Sequence, residues 1–157
     1  MKILLLVVGK TNQSYILEGF TKYVERLKYY VSFDYDEISK IKKRKSLTED
    51  QQKKIEADLI LGKLNGNDYL VLLDEKGFSY SSLDFANYVQ KKMNSGIKRL
   101  VFVVGGPYGF DTSLYSRSNA MLSLSKMTFS HQMIRLFIVE QLYRTFSILK
   151  NEPYHHE

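Results

Sequence analysis

The chain has 157 residues, 44% of them hydrophobic and 25% charged, which is the composition of one globular domain and not of a disordered or fibrous chain. It has no cysteine, which excludes disulfide frameworks and thiol chemistry and fits a cytoplasmic protein. The net charge of +6 favours an anionic partner such as RNA without identifying one.

The first part of the chain predicts a strand, a helix and a second strand. Residues 2–8 predict a strand buried on both faces, because their apolar run is too short to span a bilayer and lacks the cleavage site of a signal peptide. Apolar residues at helical spacing predict a helix over 12–29. Alternation of apolar and polar residues over 31–38 predicts a half-exposed strand.

A basic block precedes the second predicted helix. Residues 40–45 contain five cations, and a block of this kind is expected to form a surface loop. Thr48 is expected to cap the helix, with Gln51 as its capping-box partner three positions later. Gly62 or Gly66 is expected to end it.

A buried strand is predicted over 69–73, and we expect it to end at the polar segment 74–77. Ser81 is then expected to cap a third helix and Gly96 to end it. The buried stripe of this helix is predicted to consist of Phe85, Val89 and Met93.

The last part of the chain predicts a buried strand over 99–104, a glycine-rich segment over 105–109, a short helix over 111–118 and a short strand over 120–124. A long helix over 130–149 is apolar around most of its circumference. We therefore expect it to be buried on more than one face, the second face against another subunit.

Strands and helices alternate throughout, which predicts one α/β domain over 1–157 with a mainly parallel sheet flanked by helices.

Ligands of such sheets bind beyond the carboxyl ends of strands. Residues 105–109 lack the spacing of a dinucleotide fingerprint, so a tight turn and a ligand site remain equally open. For 74–77 an ordinary strand exit is the simpler interpretation. Residues 9–11 lack the earlier glycine that a phosphate-binding P-loop requires.

The three histidines do not predict a metal site, because His155 and His156 are adjacent and only His131 remains as a third ligand. A purification remnant is also disfavoured, which leaves an inert tail or a working part as interpretations of the chain's ending.

Glu140 and Arg144 stand one helical turn apart, which predicts either a surface ion pair or groups aimed at a partner chain or a ligand.

Six motifs in a fixed order point to a known family. They are Val7-Val8-Gly9-Lys10, Leu73-Asp74 with Gly77, Gly105-Gly106-Pro107-x-Gly109, the segment 122–131, Glu140-Gln141-Leu142-Tyr143-Arg144 and Pro153-Tyr154-His155. Along essentially its whole length the chain resembles the ribosomal RNA large-subunit methyltransferase H family, which belongs to the SPOUT class.

The resemblance implies a SPOUT-type α/β fold with a deep trefoil knot. It implies an enzyme that transfers a methyl group from S-adenosylmethionine to N3 of a pseudouridine in 23S ribosomal RNA, on the assembled ribosome. It also implies a homodimer without metal or membrane attachment, whose active site is completed by the C-terminal tail of the second subunit.

By position, the resemblance implies a cofactor pocket made by Leu73, Gly105, Leu124, Ser125, Lys126, Met127, Thr128 and Phe129. Apolar side chains in this set would contact the adenine ring, and main-chain groups would bind its edge and the ribose. Glycine at positions 105 and 106 is expected to let the cofactor approach the backbone.

The resemblance also implies three catalytic residues. His155 is expected to accept the imide proton, although water or a neighbouring group remains an alternative acceptor. Tyr154 is expected to stack on the base or donate a hydrogen bond, and Arg144 to stabilise negative charge on the imide or a phosphate. RNA contacts are expected from residues 40–45, with Lys53, Lys54, Lys126 and Arg135 as additions.

One residue departs from the family pattern, because His156 stands where an arginine or lysine often follows the Tyr-His pair. RNA affinity is therefore expected to be more sensitive to pH. Two other functions remain open, a ribosome-binding factor without catalytic activity and a flavodoxin-like nucleotide-binding module that uses residues 105–109.

Overall fold

We describe the fold from a computed structural model, which describes residues 1–39 and 46–156. The predicted basic loop over 40–45 lies outside these residues. The elements follow in the order β1 Lys2–Val8, α1 Ser14–Leu27, β2 Ser32–Ile38, α2 Glu49–Leu61, β3 Tyr69–Ser79, α3 Ser82–Asn94, β4 Arg99–Val104, α4 Thr112–Arg117, β5 Ala120–Ser123 and α5 His131–Leu149.

The five strands form one sheet in the order β2-β1-β4-β3-β5, and every pair of neighbours is parallel. Alternate side chains of the central strands enter two separate cores, as the two-residue period of a strand requires. Ile3 and Leu5 pack in one core with residues of α1, α3 and α5. Leu4 and Leu6 pack in the other with residues of α2 and α4. The predicted α/β architecture, with helices on both faces of a parallel sheet, is confirmed.

Helix α5 is buried on more than one face, as predicted, but its neighbours belong to its own chain. It packs between α1 and α3. Ile138 and Val139 are fully buried in the core on this side of the sheet. The part of α5 that packs on α1, α3 and the sheet is therefore explained inside one protomer, and the expected contact with another subunit stays a prediction.

Local signals place the helix ends close to their predicted positions. Thr48 and Gln51 form the predicted capping box. Ser81 caps α3, and Gly96 adopts a φ of +78° shortly after its end. The predicted buried stripe of α3 is wrong at Met93, which is 38% exposed. Met93 lies in the last turn of the helix, so the buried stripe ends at Val89.

Strand β3 is longer than the sequence predicts. It continues through 74–77 to Ser79, and both Leu73 and Phe78 pair with Leu122 of β5, so the intervening residues form a bulge. A Cβ at Gly77 would lie 2.6 Å from the main chain of Leu122, which explains the glycine there. The predicted strand exit is therefore wrong, because a polar bulge and a turn have the same composition.

Candidate functional site

A cavity of about 570 Å³ lies at the carboxyl ends of β4 and β5, beside the bulge of β3. Its walls come from residues 73–76, from 104–110 and from the segment between β5 and α5. The first turn of α5 closes one side through His131 and Ile134. The cavity therefore lies where open parallel sheets bind their ligands.

Six of the eight cofactor residues implied by the resemblance line this cavity, namely Leu73, Gly105, Leu124, Met127, Thr128 and Phe129. Ser125 and Lys126 are not among the lining residues. Ser125 instead shapes the loop, because its Oγ accepts a hydrogen bond from the Met127 amide at 2.9 Å and its carbonyl accepts one from Ser123 Oγ at 2.8 Å. The side chain of Lys126 is exposed.

The glycine-rich segment 105–109 is both a tight turn and a wall of the cavity. The Gly109 amide donates to the Gly106 carbonyl at 3.3 Å, and Gly109 has a φ of +78°. A Cβ at Gly105 would lie 2.9 Å from the ring of Phe110, and one at Gly106 would overlap the carboxylate of Glu56. The space beside these two glycines is thus filled by the protein itself, so the expectation that they are glycines to admit a ligand is wrong.

Two residues around this wall were missed by sequence reasoning. Glu56 of α2 is buried under the glycine segment and accepts a hydrogen bond from Gln52 Nε2 at 2.9 Å. Tyr115 of α4 donates to Asp74 Oδ2 at 2.6 Å and so links α4 to the bulge of β3. Burial, followed by this hydrogen bond, raises the pKa of Tyr115 to about 12. Neither residue belongs to a recognisable motif, since each acts through a partner that is distant in sequence.

The three implied catalytic residues form a second cluster at the other end of α5. Arg144 donates to Glu140 Oε1 from Nε at 3.1 Å and from Nη2 at 2.6 Å. The Tyr154 hydroxyl donates to the same oxygen at 3.0 Å and lies 3.0 Å from the Tyr23 hydroxyl. Arg144 Nη1 lies 3.4 Å from His155 Nδ1, and its guanidinium carbon lies 4.7 Å from the centre of the Tyr154 ring. The C-terminal tail is therefore docked on α5, with Glu140 at the centre of the cluster.

The two clusters do not meet within one chain. Ile134 lines the cavity, and Arg144 of the tail cluster follows it by ten positions along α5, a rise of about 15 Å. None of Arg144, Tyr154 and His155 lines the cavity. The structure thus brings together most of the implied cofactor residues, and separately the implied catalytic residues, but not one set with the other.

The residues implied as RNA contacts differ in their exposure and in their partners. Lys54 is exposed, and Lys53 pairs with Asp50 at 2.9 Å. Arg135 is 0% exposed, so its prediction as an RNA contact is wrong. Its guanidinium is enclosed because it donates to the carbonyls of Val8, the last residue of β1, and of Gly9 in the loop that follows.

Within residues 1–39 and 46–156, no helix is both long enough and apolar enough to cross a bilayer. In the same part of the chain, no three His, Asp or Glu side chains converge closely enough to hold a metal ion.

Comparison with known proteins gives consistent matches along the whole chain. The family model described as "Predicted SPOUT methyltransferase" matches residues 1–155. A protein of Parabacteroides distasonis is 55% identical over 157 residues, covering 100% of both chains. Proteins of Flavobacterium psychrophilum and Christiangramia forsetii are 54% and 53% identical and cover at least 99% of both chains. All three relatives carry the name "Ribosomal RNA large subunit methyltransferase H".

Proposed function

The chain belongs to the SPOUT methyltransferase family, and from this premise we propose that it transfers a methyl group from S-adenosylmethionine to large-subunit ribosomal RNA. The observation that carries this proposal is the convergence of three loops, at 73, at 105 and at 124–129, on one cavity. These loops are far apart in sequence, and they contain most of the cofactor residues that the family resemblance implies.

The cavity suits the cofactor by size and by lining. Its volume of about 570 Å³ is within the usual range of small-molecule sites. Leu73, Leu124 and Phe129 offer apolar surface for a planar base, and the turn at 105–109 adds main-chain polar groups. When bound, S-adenosylmethionine supplies a methyl group carried on a sulfonium.

We further propose that the acceptor is N3 of a pseudouridine and that His155 accepts its proton. An imide nitrogen must lose a proton to become nucleophilic, and histidine titrates near neutral pH. Arg144 lies against His155, where its charge stabilises the imide anion. The Tyr154 hydroxyl already donates to Glu140, so Tyr154 acts by positioning its neighbours and not by donating to the base.

The separation of the two clusters favours a homodimer with shared active sites. Within one chain the tail lies about 15 Å along α5 from the cavity wall at Ile134, too far for His155 to reach a nucleotide at the methyl donor. A second copy related by a two-fold axis would supply its tail to this cavity and receive the first copy's tail in return. The dimer, the assembled ribosome as substrate and a cytoplasmic location form one consistent proposal.

Transfer of labelled methyl groups to purified ribosomes tests the function. We expect transfer to intact ribosomes and none to ribosomes that lack the pseudouridine. Equal labelling of both would overturn the assignment of the acceptor. Ribosome binding without any transfer would favour a non-catalytic binding factor, and calorimetric binding of FMN in place of S-adenosylmethionine would favour a flavodoxin-like module.

Mixing two inactive variants tests the shared site. His155→Ala removes the proton acceptor, and Phe129→Ala removes part of the cavity wall. If each site is built from two chains, mixed dimers contain one intact site and regain activity. Failure to regain activity, with subunit exchange verified by native mass spectrometry, would contradict the shared site.

A further inference from the structure

Arg135 is completely buried, at 0% exposure, and the proposed reaction does not use it. Arginine is almost never fully buried unless its charge is compensated. Within residues 1–39 and 46–156, its hydrogen-bond acceptors are the carbonyls of Val8 at 2.7 Å, Gly9 at 3.0 Å and His131 at 3.1 Å, and Thr11 Oγ1 at 2.9 Å. The guanidinium is therefore held by main-chain and hydroxyl oxygens.

The compensating carboxylate lies at the end of a short chain of hydrogen bonds. Tyr35 donates its hydroxyl proton to Glu37 Oε1 at 2.7 Å, and burial raises the pKa of Tyr35 to about 12, so it keeps that proton. The Thr11 hydroxyl accepts from Arg135, and it lies 2.6 Å from the Tyr35 oxygen. Since the Tyr35 proton is already used, Thr11 must be the donor to Tyr35. The donors therefore run in one direction, from the cation of Arg135 to Glu37.

A second side chain on the same helical turn reinforces this attachment. Gln132 donates from Nε2 to the Lys10 carbonyl at 2.9 Å, and its Oε1 accepts from the Asn12 amide at 3.2 Å. Residues 8–12 thus bind the first turn of α5 along its length. The Gly9-Lys10-Thr11 sequence that partly matches a P-loop binds an arginine of its own chain.

We infer that Arg135 is a positioning residue for the methyl-donor cavity. It holds the first turn of α5 against the loop after β1, and that turn carries His131 and Ile134, which form one cavity wall. Loss of this attachment lets the wall move, and the cavity then binds the donor less tightly. The inference rests on the proposed function of the cavity as the S-adenosylmethionine site.

Thr11→Val and Thr145→Val form a matched pair of variants that test this inference. Both threonines are buried, and valine has nearly the same shape. Thr11→Val breaks the hydrogen bonds to Arg135 and Tyr35, whereas the Thr145 hydroxyl makes no hydrogen bond to any residue in the described part of the chain. We expect about tenfold weaker S-adenosylmethionine binding for Thr11→Val by calorimetry, and a change below about twofold for Thr145→Val.

Three further measurements separate positioning from a purely structural role. In Thr11→Val, KM for the donor should rise while kcat at saturating donor stays within about twofold. In the ligand-free protein, the amides at 134 and 135 should exchange hydrogen about tenfold faster than in the Thr145→Val control. Arg135→Lys, which keeps the charge, should bind the donor more tightly than Arg135→Met.

The outcomes are distinct. Donor affinity within twofold of wild type in Thr11→Val, with a lower melting temperature, would overturn the inference and leave Arg135 as a structural residue only. If Arg135→Met does not fold, the Thr11→Val pair still decides the matter. If the wild-type protein itself does not bind S-adenosylmethionine, the proposed function fails, which is a different result.

Discussion

The two ends of α5 place the same residue type in opposite situations. At the first turn, Arg135 is 0% exposed and is surrounded mainly by main-chain carbonyls. Nine residues later, the Arg144 side chain is 25% exposed and contacts a carboxylate, an aromatic ring and His155. Main-chain carbonyls do not titrate in this pH range, and they are part of the folded backbone. The first arrangement therefore holds the first turn of α5 in place. The second leaves part of the guanidinium open to another anionic group, so it remains available for chemistry.

This contrast separates two properties of the protein. Residues near the first turn should control donor binding, because that turn lines the cavity. Residues near the last turns should control methyl transfer without changing donor binding, because their proposed role is toward the acceptor base and none of them lines the cavity of its own chain.

Removal of the tail should have the largest effect. Deletion of residues 154–157, or His155→Ala alone, should lower methyl transfer by at least about 100-fold, the usual contribution of a general base. Donor affinity by calorimetry should stay within about twofold. Lys150→Ala, an exposed change beside the tail, serves as the control and should leave both properties unaltered. Undiminished transfer by the deletion variant would mean that the tail has no catalytic role.

Glu140→Gln should have the next largest effect. The Glu140 carboxylate accepts from Arg144 and Tyr154, and removing its charge weakens both hydrogen bonds. We expect kcat to fall about tenfold or more with donor affinity unchanged. Tyr23→Phe removes only the outer hydrogen bond to Tyr154 and should cost less than about threefold. A fall in donor affinity for Glu140→Gln would break the proposed separation of the two ends.

Gly106→Ala should weaken binding of the methyl donor, because it alters the cavity wall. The added methyl group would overlap the Glu56 carboxylate, so the glycine wall must shift, at a cost of about 1–3 kcal/mol in unfolding free energy. Donor affinity should fall by several-fold. Gly66→Ala is the matched control, because a Cβ there meets nothing within 4 Å. Denaturant unfolding and calorimetry on both variants test this, and equal behaviour of the two would contradict it.

Asp68→Asn should have the smallest effect and should change neither donor binding nor methyl transfer. Burial by itself raises the pKa of Asp68, but hydrogen bonds from Arg99 and the Asn65 amide outweigh it and lower the pKa. Its stabilising contribution is therefore complete above the ordinary carboxyl pKa near 4 and is lost as pH falls through the lowered value.

The melting temperature of the wild type should thus drop more steeply below about pH 4 than that of Asp68→Asn. Asp68 and Arg99 lie at the amino ends of β3 and β4, which is the end of the sheet opposite the cavity. Donor affinity and transfer at pH 7 should therefore be unaffected. An equal fall in melting temperature for the wild type and Asp68→Asn between about pH 5 and pH 3 would contradict the proposed role of the pair.

Much of the fold was predictable because its signals are local. The capping box at Thr48, the Ser81 cap and the apolar runs of β1 and β4 each depend on residues within one or two turns of the chain. The family resemblance then supplied the expectation that three distant loops form one site. The knot and the catalytic roles stay predictions from that resemblance.

The sequence by itself thus determined the order of elements and the parallel α/β class, and with the family resemblance it identified six of the residues that line the cavity. Only the tertiary structure decided that Arg135 is enclosed, that β3 continues past its polar bulge and that Glu56 fills the space beside Gly106. The physical reason is that secondary structure depends on neighbours in sequence, whereas burial and charge compensation depend on partners in space. Arg135 and Gly9 are 126 positions apart, and no local pattern records their contact.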